Sequence, residues 1–410
     1  MEVKTIKLPF RIKRAVLALG SQTKNAVCLA KDNYAYFSRI HPDLNQRSDF
    51  LNFDKAAKYF LKKNPEVIAY DLHPEYQSTK YALSLHTKYY LLPTQHHHAH
   101  IASCMAENNL NNKKIIGIAF DGTGLGDDAD LWGAEFFICN YSRYERMAHL
   151  KYIPLIGAEK AIEQPWRVAI LWLYLVYKDK LFNSGIDFVK KIDKREWSVL
   201  KKMYDAGFNC PLASSMGRLF DGVASLVLNK LKVNFEAEAA IELEKLASSY
   251  KAEGVSYRFK IIKEKNTYIL DVGPMFKEVT QDIMKKEPKE KIAYRFHYTI
   301  AEMIKRVCLL LRNKTRINEV VLSGGVFQNK VLLKLSSDLL YEEGLRVFTH
   351  KKLSSSDSSI ALGQAAIVNF PASGYYEDDA GSRRWLIRDT AGKGKEYVFR
   401  HPDEDKKNRR

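Results

Sequence analysis

The chain has 410 residues, 46% of them hydrophobic and 12% aromatic, which excludes a disordered protein and exceeds what one hydrophobic core usually organises, so two lobes are expected. Its formal net charge of +17 invites a nucleic-acid role. The basic residues are nevertheless spread along the chain, clusters such as KKIDKRE and KKEPKEK are interleaved with acids, and the arginines are not grouped with stacking aromatics. Nucleic acid is therefore disfavoured as a partner, and an anionic ligand or an acidic protein explains the charge about as well. The longest apolar run, AILWLYLVY (Ala169–Tyr177), fits a buried helix and falls short of a membrane span. The N-terminus has basic residues but only a strand-length apolar piece and no small-residue cleavage site, unlike a signal peptide. Five scattered cysteines without a CxxC argue against a disulfide framework and a Cys-based zinc site, and predict a reduced, cytoplasmic protein.

In chain order, Ala15–Ile40 reads as three short strands separated by polar turns, and Pro65–His73 as another strand with polar residues emerging at its C-terminal end. The segment QHHHAHIASCMAEN (Gln95–Asn108) follows, with helix formers over Ala99–Glu107. Lys113–Asn140 repeats the opening plan: an apolar strand, a Gly-rich polar loop, a second strand. Gln164–Tyr250 reads as mainly helical, with Ser214 and Ser215 as caps before MGRLFDGVASLVLNKL. Ile317–Gly344 is a buried strand, a Gly-Gly turn and an amphipathic helix, and Ser354–Phe370 closes the fold with a helix. Beyond Pro371 the charged, Gly- and Asp-rich tail is expected to be weakly ordered.

Four imidazoles in five positions need a reason. His96 and His100 stand at i and i+4, one turn apart on one helix face, the spacing at which two side chains bind one metal ion. Asp121 ends the apolar stretch IIGIAFD, which places a carboxylate at the carboxyl edge of a sheet; a turn Asp capping its own loop is the plainer alternative. In LSGGVFQN (Leu322–Asn329) paired glycines after a buried strand would let a phosphate or adenine approach the backbone, and a tight turn without a ligand fits equally well. Asp357, before an apolar helix, reads first as an N-cap. Two histidines with Asp121 and Asp357 would make a mixed four-ligand site of the kind that suits zinc or iron.

Taken together, LALGSQTKNAVCLA, YDLHPEYQST, QHHHAHIASCMAE, AFDGTGLGDDADLWGAEFF, EKAIEQPWRVA, SSMGRLFDGVASL, FEAEAAIELE, LSGGVFQN and SDSSIALGQAA occur in family order and resemble the carbamoyltransferase domain of the HypF family. That resemblance implies an α/β, two-lobed actin-like, sugar-kinase-like (ASKHA) fold, akin to TsaD. It implies boundaries as well: an extension at 1–14, a first lobe at 15–110, a second lobe with a helical insertion at 111–355, a closing helix returning to the first lobe at 356–370, and the tail at 371–410. It implies a divalent metal held by His96, His100, Asp121 and Asp357, with His96, His100 and Asp121 catalytic. ATP or carbamoyl-adenylate would be contacted by Gly122, Thr123, Gly217, Arg218, Asp221, Glu236, Gly324, Gly325 and Asn329. The expected partners are a HypE-like acceptor protein, whose C-terminal cysteine takes the carbamoyl group, and a separate YrdC-type protein that makes the adenylate, since the chain starts directly at the transferase domain. A related transferase acting on tRNA or a small-molecule hydroxyl, and a non-catalytic nucleotide-binding paralogue, stand beside that reading. Several glycines of the family pattern are replaced: GG is Gly133-Ala134, GGD is Gly157-Ala158-Glu159, YEG is Phe235-Glu236-Ala237, and GDL is Pro42-Asp43-Leu44. Each Gly→Ala change adds a methyl where a positive φ or close backbone approach is expected.

Overall fold

The computed structural model describes residues 3–85, 89–250 and 254–371, together with the backbone of strands Tyr375–Glu377, Arg383–Arg388 and Gly394–Val398. Two sheets carry the fold, and they share one plan. In the first, Val16–Ala18, Cys28–Lys31 and Tyr34–Phe37 form an antiparallel meander, and Val67–Asp71 and Tyr90–Thr94 add in parallel on the other side of Val16–Ala18. In the second, Ile115–Leu125, Leu131–Cys139 and Tyr144–Leu150 form the meander, and Glu319–Ser323 and Arg346–Phe348 add in parallel beside Ile115–Leu125. A meander whose first strand then recruits two parallel neighbours, used twice, is the two-lobed actin-like α/β architecture. The N-terminal extension contributes Lys4–Lys7 as an added antiparallel edge strand. The opening segment holds four strands where three were expected, because Thr23–Asn25 leaves the main sheet to pair with His41–Asp43.

Strand periodicity sorts the core into three layers. Leu17, Leu19, Ile68 and Tyr70 face the outer helices Arg47–Leu61 and Gln77–Ser84. Val16, Ala18, Val67 and Ala69 of the first sheet, and Ile115, Ala119 and Val321 of the second, face a shared middle layer. Ile116, Ile118, Phe120 and Leu322 face the far side, where the helical insertion and Lys289–Thr315 pack. The same alternation therefore turns Asp71, Asp121 and Ser323, each an even number of positions after a middle-layer residue, toward the middle layer.

Two helices fill that layer. His96–Glu107, the histidine helix, lies against the Ile115–Leu125 and Glu319–Ser323 strands of the second sheet, whereas the closing helix Ile360–Asn369 lies against the first. The closing helix is tied there by Gln364, whose Oε1 accepts from Gly20 N at 2.9 Å and whose Nε2 donates to Gly20 O at 3.2 Å. The two helices touch backbone to backbone at Gly363, where a Cβ would overlap the Ala99 carbonyl. This exchange of helices places the histidines between the sheets.

The run at Ala169–Tyr177 is the apolar body of a buried helix, Trp166–Tyr177, and among the described residues no helix is long and apolar enough to cross a membrane. All five cysteines are free. In the tail, the three described strands form an antiparallel sheet, and the rest of it, including the expectation of weak order, lies outside the described residues.

Candidate metal and nucleotide site

Gln95 caps the histidine helix by accepting from His98 N at 2.9 Å, so the helix begins at His96 itself. All four imidazoles are buried, and they divide into two kinds. His98 meets the Asn140 carbonyl at 2.6 Å and His97 meets Gln95 Nε2 at 3.3 Å. Burial lowers both: His97 to about 3, with the neighbouring His96 adding to the effect, and His98 to about 4 against the Asn140 carbonyl. These two are neutral packing residues.

His96 and His100 face carboxylates instead. His96 Nε2 lies 3.2 Å from Asp121 Oδ2 and 4.0 Å from Asp357 Oδ1, and His100 Nε2 lies 3.5 Å from each. One ligand atom from each of the four residues falls within 4.8 Å of all the others. A divalent ion held at about 2.1 Å by tetrahedral donors sets those donors about 3.4 Å apart. The four histidine–carboxylate separations, 3.2–4.0 Å, lie around that value, and both ring nitrogens of His100 are buried without a hydrogen-bond partner. Burial would lower both imidazoles, but carboxylates outweigh it: Asp71, Asp121 and Asp357 hold His96 well above its ordinary value, and Asp121 and Asp357 raise His100. Burial would raise Asp121, yet the two imidazoles hold it well below the usual carboxylate range.

Three contacts set the orientation of this group. His96 Nδ1 lies 2.7 Å from Asp71 Oδ2, a buried carboxylate that fixes the ring and leaves Nε2 directed at the tetrad. Asp121 Oδ1 accepts from Gly325 N at 3.0 Å. Gly124, the second glycine of DGTG, lies beneath the histidines: a Cβ there would stand 2.7 Å from both the His96 and the His97 ring.

Asp121 does not end its strand as the sequence suggested. The strand runs through DGTGL to Leu125, and the turn falls at 126–130. Asp121 nevertheless overhangs a sheet edge, because its parallel neighbour stops at Ser323, opposite Ala119. Asp357 makes no cap: it opens a short 3-10 turn before the closing helix and points at the histidines.

Beside the tetrad lies a second polar group. Ser215 caps the Met216–Leu228 helix by accepting from Arg218 N at 3.0 Å, and its hydroxyl also donates to the Gly122 carbonyl. That bond draws the helix start onto the DGTG strand, so that a Cβ on Gly217 would lie 2.9 Å from Gly122 Cα. Arg218 is buried, its Nε 3.0 Å from Asp221 Oδ2 and its Nη1 without a hydrogen-bond partner. Glu236 Oε1 faces Gly122 from the helical insertion. Burial pushes the Asp221 carboxyl up, against the charge of Arg218 and with that of Glu236. Thr123 is half-buried one residue further along the strand.

The other expected nucleotide residues have intramolecular partners. Gly324 has φ +102° and backs directly onto Phe120, and its N–H donates to Ser355 O at 3.1 Å. Gly325 N–H goes to Asp121, as above. Asn329 caps the Lys330–Glu342 helix through Leu332 N at 2.9 Å, and its amide nitrogen meets His297 Nε2 at 2.9 Å.

Comparison with known proteins places the site in context. The HypF Kae1-like domain model matches residues 11–107, and the model described as the carbamoyltransferase, Kae1-like domain, second subdomain, matches residues 117–364. The chain belongs to the HypF carbamoyltransferase family. It is 33% identical over 380 residues to carbamoyltransferase HypF of Synechocystis, covering 88% of this chain and 48% of that protein. A carbamoyltransferase HypF homolog of Cupriavidus necator is 31% identical over 361 residues, 86% of this chain and 91% of its own. A crystal structure of full-length HypF in the phosphate- and nucleotide-bound form superimposes with a TM-score of 0.84 at 40% identity, covering 89% of this chain and 47% of that one. The chain thus spans about half the length of most of the curated HypF relatives it matches and nearly all of one.

Sequence reasoning missed Asp71 and Tyr76. Asp71 ends VIAYD as Asp121 ends IIGIAFD, and that parallel was the available signal. Tyr76 packs its ring on His73, with centroids 4.2 Å apart. Burial, together with the carboxylates of Asp71, Asp357, Asp121 and Glu236, raises its phenol well above the ordinary value.

Two of the replaced glycines have a structural cost. Ala158 sits at φ +50° and Ala237, which precedes the Glu238–Ser249 helix, at φ +64°. A Cβ is disfavoured there by about 1 kcal/mol. Restoring glycine at either position is expected to raise stability by roughly that amount in urea denaturation, and a loss of stability would contradict the strain.

Proposed function

We propose that this chain moves a carbamoyl group from carbamoyl-adenylate, made by a separate YrdC-type protein, to the C-terminal cysteine thiol of a HypE-like acceptor in nickel–iron hydrogenase maturation. The observation that carries the reading is the convergence of His96, His100, Asp121 and Asp357 beside the group formed by Gly122, Arg218, Asp221 and Glu236. The name of the superimposed relative, a phosphate- and nucleotide-bound HypF, supports a nucleotide in the same fold.

In this reading His96 Nε2, His100 Nε2 and the Asp121 and Asp357 carboxylates hold a divalent ion, zinc or iron. Such an ion supplies Lewis-acid polarisation of a carbonyl or phosphoryl oxygen. The chain's own residues do the rest. Asp71 holds the His96 ring so that Nε2 stays available, and Gly325 N–H keeps one Asp121 oxygen occupied and the other turned to the histidines. Arg218, whose Nη1 is buried and unpartnered and whose Nη2 lies near Gly122, offers charge to the adenylate phosphate. Thiolate attack on the carbamoyl carbon forms the C–S bond and breaks the C–O bond to phosphate, and AMP leaves with the electron pair. The thiolate comes from the acceptor. Cys28, Cys104, Cys139 and Cys308 are buried and burial pushes each thiol up, while half-buried Cys210 is also raised. None is poised as a nucleophile.

A mass-spectrometric transfer assay tests this. The protein is mixed with carbamoyl-adenylate generated in place by a YrdC-type domain and offered HypE and bulk tRNA together. One carbamoyl group on the terminal cysteine of HypE, lost in His96→Ala, is the expected result. Label on tRNA, or on neither, would overturn the reading.

A further inference from the structure

The histidine helix continues past the tetrad to a second buried polar group. Glu107 lies about three turns beyond His96 on the same helix face. Its Oε2 is 2.7 Å from His350 Nδ1, and its Oε1 accepts the backbone N–H of Lys351 at 2.6 Å and that of Lys352. His350 Nε2 in turn lies 2.9 Å from Ser323 Oγ. With Nδ1–H donated to the carboxylate, Nε2 accepts the Ser323 hydroxyl proton.

The distances are those of a serine–histidine–acid triad, but the surroundings do not suit a nucleophile. Ser323 is fully buried. The two N–H groups that follow it are engaged, Gly324 with Ser355 O at 3.1 Å and Gly325 with Asp121 Oδ1 at 3.0 Å, so no oxyanion donors remain. What the three residues do share is position, because each belongs to a segment that carries or holds a proposed metal ligand. Glu107 is on the helix of His96 and His100. Ser323 ends the strand whose Gly-Gly turn grips Asp121. His350 lies near the start of the loop that runs from the Arg346–Phe348 strand to Asp357, and Ser355 of that loop takes the Gly324 N–H.

We propose that Glu107, His350 and Ser323 form a buried clamp that fixes the register of the three ligand-bearing segments and thereby sets how tightly the tetrad holds a divalent cation. They are positioning residues, acting through His100, Asp121 and Asp357 without touching the ion. The inference rests on the metal reading above, and its test separates the two.

Full-length protein is stripped of metal and titrated with Zn2+ against a chromophoric chelator, as wild type and as Ser323→Ala, His350→Gln and Glu107→Gln. The expected result is a tenfold to hundredfold weaker Zn2+ affinity for His350→Gln and Glu107→Gln, about the range of lost outer-shell support, and a smaller loss for Ser323→Ala, which leaves the fold least disturbed. The double variant Ser323→Ala plus His350→Gln is expected to lose no more than His350→Gln alone. Leu311→Ala, in the far core layer, serves as a control that lowers the melting temperature without changing Zn2+ affinity. Clamp variants that melt earlier but bind Zn2+ as wild type does would overturn the clamp and leave the metal site standing. A folded wild-type protein that binds neither Zn2+ nor Fe2+ would overturn both.

Discussion

Asp121→Asn is expected to abolish the proposed carbamoyl transfer while the protein stays folded. The carboxylate lies closest to the imidazole pair, at 3.2 Å from His96 Nε2 and 3.5 Å from His100 Nε2, with Asp357 at 4.0 and 3.5 Å. Asparagine keeps the shape, and its amide oxygen still accepts from Gly325 N. It removes the negative charge, and in that pose it turns an NH2 donor toward the position where the proposed cation would be bound. Divalent-metal affinity is expected to fall by roughly 100-fold, about 2.7 kcal/mol, with a melting temperature for the metal-free protein close to wild type. Metal competition and thermal unfolding, read on one preparation, check both parts. An unchanged metal affinity would remove Asp121 from the ligand set.

Glu135→Ala is expected to give the largest loss of stability. Glu135 is fully buried, accepts from Arg146 Nε at 2.6 Å and Ser214 Oγ at 2.6 Å, and also takes Gly133 N at 3.1 Å and Ala134 N at 3.2 Å. Arg146 stacks 3.9 Å over the Trp132 ring and leads on to Asp128 and Tyr152. This network fastens Ser214, and so the cap at Ser215, to the DGTG hairpin. Removing one partner of a buried pair costs about 3–5 kcal/mol, measurable by urea denaturation at neutral pH.

The same group predicts a pH dependence. Burial would raise the Glu135 carboxyl, but Arg146 lowers it to about 2. A depressed carboxylate contributes stability that is present above its unfolded value, about 4.3, and is lost as pH falls through the folded value. Wild type is therefore expected to lose stability between about pH 4.3 and 2. Glu135→Ala is expected to show a shallower slope there, not a flat one, because Glu107 is likewise lowered to about 2 by His350 and the 351–352 backbone against its own burial. Parallel slopes in the two proteins would contradict the assignment.

How much of this was legible in the sequence depends on how far apart the partners lie. The tetrad was legible because the histidine pair is local, the two aspartates stand in short motifs, and the family resemblance joins them. The doubled fold showed as one strand–loop–strand device used twice. What the sequence hid were facts about register and distant contact. Nothing local says that the Ile115 strand continues through DGTGL, since that depends on its antiparallel partner, Leu131–Cys139, pairing with it as far as Leu125. Asp71 reaches His96 only after the Val67 strand is set beside the histidine helix. Glu107, Ser323 and His350 come together across more than 200 residues of chain. The Gly-Gly turn left two readings open for a physical reason: its N–H groups look free in the sequence, and the fold directs them to Ser355 and Asp121.

Two histidines and two aspartates from separate segments are proposed to hold one ion. Element-resolved anomalous diffraction from crystals of the protein as purified, with Zn2+ or Fe2+ supplied, tests it most directly. A single strong peak is expected about 2.0–2.2 Å from His96 Nε2, His100 Nε2 and one oxygen each of Asp121 and Asp357. A peak elsewhere, or none with the four side chains as close as they are here, would contradict it.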